Sequence, residues 1–161
     1  MNFIRKMSIF LVFVLCLGVM TSCLGSGSSS KKISLSTDEI YEKAISGVEL
    51  PKLQKLSSSE LESLFNLKSS NVEEYTVCIS MMNVQASEIA VFKFSSKEQE
   101  SEIDKAIEKR LKDLDATWGS YLPAQHELVK NVKKFSHGDV KGYVIAEDAD
   151  KIISNIDKAV K

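Results

Sequence analysis

The chain has 161 residues, with 21 Lys+Arg against 22 Asp+Glu and a formal charge of -1. That length suits one domain, and the near-neutral balance argues against a strongly basic nucleic-acid-binding protein. Three cysteines and seven glycines exclude a disulfide-dense scaffold and a collagen-like chain.

The first 22 residues differ from the rest. Arg5 and Lys6 form a positive start, and Met7 to Met20 is an apolar stretch broken only by Ser8 and Gly18. This is the pattern of a secretory signal core, and it falls short of the roughly 20 apolar residues that span a bilayer. Met20-Thr21-Ser22-Cys23 then places an apolar residue and two small residues before a cysteine, the pattern of a bacterial lipobox. In such a pattern the thiol takes a diacylglyceryl group and a dedicated peptidase cuts before the cysteine. The expectation is therefore cleavage between Ser22 and Cys23, with lipid on Cys23 whose chains are palmitate or similar; two or more chains give a stable anchor. An uncleaved signal anchor is the alternative. Without residues 1–22 the basic count falls by Arg5 and Lys6 to 19 against 22 acidic, a net charge of -3.

Residues 23–33 read as the lipidated cysteine and a flexible tether, since Leu24 to Lys32 is a Gly/Ser run ending in two lysines. A coil of about nine residues reaches roughly 15 to 18 Å. Residues 34–161 read as one extracytoplasmic domain. Ser36-Thr37-Asp38-Glu39 is a capping box opening a short helix that Gly47 stops, and Ser57-Ser58-Ser59-Glu60 opens a second ending near Asn66. Pro51 and Leu53 between them read as a connection.

Tyr75 to Met81 alternates, placing Tyr75, Val77, Ile79 and Met81 on one face, and Glu88 to Phe94 is a second β-rich run. Ser95-Ser96-Lys97-Glu98 resembles a third capping box, ahead of a long helix with Ile103, Ile107, Leu111, Leu114 and Trp118 on one stripe. Leu122-Pro123 leads into a shorter helix through Val129. A second hairpin, Val132 to Ser136 and Val140 to Ala146, turns at His137-Gly138-Asp139. Asp148 is expected to cap a last helix buried through Ile152, Ile153, Ile156 and Val160. The fold class is α+β: an antiparallel sheet of about four strands, in two hairpins, packed against a long helix and a C-terminal helix.

The side chains that carry chemistry are sparse. His126 and His137 lack any cysteine or carboxylate at metal-ligand spacing, and Glu147, Asp148 and Asp150 lack the glycine and bidentate glutamate of a calcium loop, so no metal is expected. No Gly-x-Ser-x-Gly elbow and no Gly-rich phosphate loop occurs, so no cofactor is expected. Cys78 has no flanking charge to activate it and reads as a small buried hydrophobe. Two segments suit contact with a partner: Met81, Met82, Asn83, Val84 and Gln85 put adaptable side chains and amides at a hairpin tip, and Trp118 and Tyr121 flank a helix stop. Trp118 continues the helix stripe and is expected in the core.

The segments Glu73-Glu74-Tyr75, Met82-Asn83-Val84-Gln85, Glu88 to Lys93, Tyr121-Leu122-Pro123 and Glu147-Asp148-Ala149-Asp150 resemble a family of clostridia-type Gram-positive lipoproteins known as domain of unknown function 4358. The likeness runs from about Asp38 to Ile156. It implies a membrane-tethered extracytoplasmic domain and assigns no catalytic residue. The expectation from residues and resemblance together is a lipid-anchored, non-enzymatic binding or accessory module of the cell envelope. Its partners would be the membrane, through the lipid on Cys23, and an envelope protein or wall component, without nucleic acid or metal. A signal-anchored scaffold and a small envelope hydrolase are the alternatives.

Overall fold

The computed structural model describes residues 31–161. The signal-like segment, the cleavage point at Ser22 and the lipid-bearing Cys23 lie outside the described residues. None of the described helices is long and apolar enough to cross a membrane.

Five helices, α1 (Thr37–Ala44), α2 (Ser58–Phe65), α3 (Lys97–Gly119), α4 (Pro123–Lys130) and α5 (Ala149–Ala159), cover an open antiparallel sheet. Its strands are β1 (Leu53–Lys55), β2 (Glu74–Ser80), β3 (Glu88–Lys93), β4 (Lys133–His137) and β5 (Val140–Ile145), in the order β1-β2-β3-β5-β4. The α+β class holds, with a fifth strand beyond the two expected hairpins. Leu53, read from sequence as part of a connection, pairs with Ser80, and Lys55 with Cys78. Three residues beside Pro51 carry too little periodicity to announce a strand; the open edge of β2 recruits them.

Alternation along the central strands sorts the core into two layers. Ala90, Phe92, Tyr143 and Ile145 pack beneath α2, α3 and α4, together with Leu61, Phe65, Ile103 and Trp118. Ile89, Val91 and Val144 point the other way, against Ile40 and Ala44 of α1 and Ile152 and Ile156 of α5. Because β3 and β5 are covered on both faces, every residue of β5 and five of the six in β3 are buried. Each fully buried isoleucine here contributes roughly 1.5 to 3 kcal/mol, so the two-sided cover is the main source of stability.

Local signals set the helix starts. Both expected capping boxes form: Ser36 with Glu39, and Ser57 with Glu60. At Ser57 the Glu60 carboxylate accepts the Ser57 N–H at 2.7 Å, while the Ser57 hydroxyl oxygen accepts the Glu60 N–H. The Ser57 hydroxyl also donates to that carboxylate at 2.6 Å, and this bond, with the one from the Ser57 N–H, holds the Glu60 carboxyl below its usual range. Ser57→Ala is expected to cost about 1 kcal/mol in urea unfolding, and Ser57→Asp close to nothing, since aspartate caps as well as serine. Equal losses for both variants would show that the cap is not what the serine supplies.

The third box sits one residue later than its sequence pattern suggests. Ser96, not Ser95, is the N-cap and accepts from Gln99 N–H, while Gln99 reaches back to the Ser95 N–H at 2.8 Å. Asp148 occupies the N-cap position of α5, but its side chain makes no capping hydrogen bond. Its carbonyl instead accepts from Lys151 and Ile152. Met81 lies beyond the last residue of β2, so it leaves the face that Tyr75, Val77 and Ile79 share.

The N-terminal segment docks at one end of the sheet. Ile33 is buried, its N–H donating to the Asp139 carboxylate at 2.8 Å, and the Asp139 N–H donates to the Lys31 carbonyl. Gly138, at φ 57, turns β4 into β5 there. A Cβ on Gly138 would sit 1.9 Å from the Lys31 oxygen, so glycine lets this strap lie flat over the turn.

Candidate functional site

The hairpin between β2 and β3 occupies the opposite end of the sheet. Its tip is a tight turn in which the Gln85 N–H donates to the Met82 carbonyl at 3.1 Å. The Ser80 hydroxyl oxygen accepts the Met82 N–H at 3.2 Å and fixes the entry to that turn. With the backbone so held, the side chains face outward: Met81 is 60%, Met82 53% and Val84 43% exposed, and Asn83 is exposed too. Tyr121 is 54% exposed on the connection between α3 and α4, its ring 6.0 Å from that of the buried Trp118. These four are the large apolar side chains that the described residues leave in solvent.

One polar contact ties the hairpin to α4. The Gln125 carboxamide oxygen, on α4, accepts the Ala86 N–H at 2.8 Å. Next to that bond lies a shallow cleft lined by Glu49, Pro51, Gln85, Gln125, Leu128 and Glu147, about 260 Å³ in volume. Segments distant in sequence thus converge: the lead-in to β1, the hairpin, α4 and the end of β5. Glu49 and Glu147 are both exposed and make no ion pair among the described residues. Of the residues expected at a contact surface, Met81, Met82, Asn83 and Gln85 fall together here.

Behind the hairpin stands a buried polar triad that periodicity did not reveal. Glu88, the first residue of β3, is 2% exposed and takes two hydrogen bonds from Arg110 of α3, at 3.1 and 2.7 Å. The Tyr143 hydroxyl donates to the same carboxylate. Burial works against the charge on Arg110, yet the hydrogen bonds and field of Glu88 outweigh it and hold the guanidinium pKa above its ordinary value. Burial first, then the adjacent carboxylate, push the Tyr143 phenol well above its usual range. These groups satisfy one another, so the triad is a clamp between α3 and the sheet, with its donors and acceptors turned inward. A glutamate opening a run of Ile-Ala-Val-Phe, with an arginine on a helix facing it, was the one available signal.

Three further polar side chains, Lys141, His126 and His137, have structural partners. Lys141 is nearly buried and bonds Asp104 at 2.6 Å and Glu100 at 3.3 Å. His126 meets Asp115 at 2.6 Å and His137 meets Asp157 at 2.8 Å. Sequence spacing gave neither histidine a carboxylate; folding supplies one to each, across 11 and 20 residues. No group of three or more potential metal ligands occurs among the described residues. Cys78 is buried and unpaired among them, and burial pushes its thiol up, away from a nucleophile.

No curated protein and no solved structure matches this chain. A protein-family model does, over residues 46–146. That span holds all five strands together with α2, α3 and α4, leaving α1 and α5 outside it. It also contains the methionine hairpin and the Tyr121 connection. Since the match covers more than half of the chain, the protein belongs to the family described as Domain of unknown function (DUF4358).

Proposed function

We propose that this is a lipid-anchored extracytoplasmic protein without enzymatic activity, which presents the Met81–Gln85 hairpin to an envelope protein or wall component. Cys23 is the anchor after cleavage behind Ser22, and the domain acts as a binding or accessory module. The observation that carries this reading is the polarity of the fold. The strap that continues from the tether docks on the β4–β5 turn, beside Lys93, whereas the hairpin loop leads into Glu88, at the far end of the same strand. Five strand steps at about 3.4 Å separate the two ends by about 17 Å. A domain held at the first end offers the second outward, away from the lipid surface, and that outward end carries the exposed methionines.

Metabolic labelling with a fatty acid tests the anchor. The parent chain is expected to incorporate label and Cys23→Ala to lose it entirely. The mature mass should lack residues 1–22 and carry added acyl mass. Label retained by Cys23→Ala, or a membrane form of full-chain mass, would overturn the reading in favour of a signal-anchored scaffold.

A further inference from the structure

We propose that the cleft beside the hairpin receives an extended segment of a partner protein in which basic residues alternate with apolar ones. The proposal rests on the hairpin's being a contact surface and adds the chemistry of what it contacts. Four observations converge on that class. First, the hairpin that gives Gln85 to the cleft also exposes Met81, Met82 and Val84, each more than two-fifths in solvent, and methionine is a residue type that interfaces favour. Second, Glu49 and Glu147 line the cleft with no cation opposite them among the described residues, and the exposed Lys52 beside Pro51 does not line it. Third, Gln85 and Gln125 line it with carboxamide NH2 groups that make no hydrogen bond among the described residues, donors suited to the carbonyls of an extended chain. Fourth, about 260 Å³ falls below the range of typical small-ligand pockets and suits one or two side chains of a polymer lying across it.

Charge decides between occupants. A polyanion, whether a phosphate-rich wall polymer or an anionic lipid surface, meets two carboxylates that make no ion pair among the described residues. A two-fold pairing of this chain through the same patch brings Glu49 and Glu147 of one copy towards those of the other, with like charges at its centre. A basic segment meets complementary charge, and lysine or arginine stems cover apolar surface while their heads reach the carboxylates.

Fluorescence anisotropy on the full chain in zwitterionic detergent tests this with two labelled seven-residue peptides, capped at both ends. One carries two lysines among leucines and valine; the other has glutamates in place of the lysines. The basic peptide should bind saturably and about ten-fold or more tighter than the acidic one, with affinity falling as salt rises. The double variant Glu49→Gln with Glu147→Gln should erase most of that ten-fold difference, and Met82→Ser should weaken the basic peptide without changing the preference. Circular dichroism on each variant checks that the fold is kept. Equal affinity for the two peptides, indifference to the glutamate pair, or no binding of either overturns the proposal. So does self-association in sedimentation that Met82→Ser abolishes. Acidic-peptide binding that still depends on Met82 would sink the charge argument while leaving the hairpin as a contact surface, and the Cys23 labelling result is independent of all of these.

Discussion

Arg110→Ala is expected to destabilise the domain by about 3 to 5 kcal/mol, because it leaves the Glu88 carboxylate buried without its counter-charge. Glu88 is 2% exposed and its two oxygens take Arg110 and Tyr143, so no water replaces the lost guanidinium without opening the layer between α3 and the sheet. Arg110 also lies over the Phe65 ring, 5.7 Å from its centroid, so truncation removes packing along with charge. A domain of this size has about 5 to 15 kcal/mol of stability, and a loss of that scale leaves a measurable unfolded fraction near 37 °C. The counter-experiment separates pairing from shape. Glu88→Leu combined with Arg110→Met and Tyr143→Phe replaces the triad by apolar groups of similar volume and should unfold within about 1 kcal/mol of the parent, or later. Urea denaturation reads both. A single variant that loses less than about 1 kcal/mol, or a triple variant as unstable as the single, would show that the carboxylate does not depend on its partner.

The same triad marks the limit of what the sequence discloses. Helix starts were legible because a cap is a local event: Ser36 with Glu39 and Ser57 with Glu60 lie three residues apart and need no tertiary partner. The stripe of α3 was legible for a similar reason, since one side of a helix repeats on its own period, and Ile103, Ile107, Leu114 and Trp118 are all buried. Pairing between distant segments was not. The edge strand β1 exists because β2 offers it hydrogen bonds, and Glu88 finds Arg110 only when β3 and α3 are laid together. At the candidate site, the run Met82-Asn83-Val84-Gln85 between two β-rich segments could be read as a hairpin tip, whereas Met81 alternates with Tyr75, Val77 and Ile79 and gave no sign that the strand stops at Ser80. The approach of Glu49, Gln125 and Glu147 could not be read, because they come from the lead-in to β1, from α4 and from the connection after β5, segments far apart in the chain. Where two serines stood side by side, as at Ser95 and Ser96, local pattern located the cap but left its register one residue adrift.

Gly142→Ala sets two effects of opposite sign against each other, and their sizes predict the outcome. Glycine inside a strand ordinarily weakens it, so alanine should gain about 0.5 to 1 kcal/mol from a stiffer unfolded chain. Position 142 is different because β5 lies between β3 and β4. A Cβ there would stand 1.8 Å from the Ala90 carbonyl oxygen and 2.8 Å from Cζ of Phe135. The ring can rotate away at modest cost; the backbone oxygen belongs to β3 and moves only if the β3–β5 ladder shifts. Overpacking a core position costs about 1 to 3 kcal/mol when side chains alone must yield, so a backbone clash should fall at or above the top of that range. The net expectation is a loss of about 2 kcal/mol or more, with Gly142→Val worse. Trimming the ring as well, in Gly142→Ala with Phe135→Leu, should fail to restore stability, because the obstructing atom is the Ala90 oxygen. An alanine variant as stable as the parent would mean that the sheet accommodates a side chain there, and recovery in the double variant would transfer the constraint from the backbone of β3 to the ring of β4.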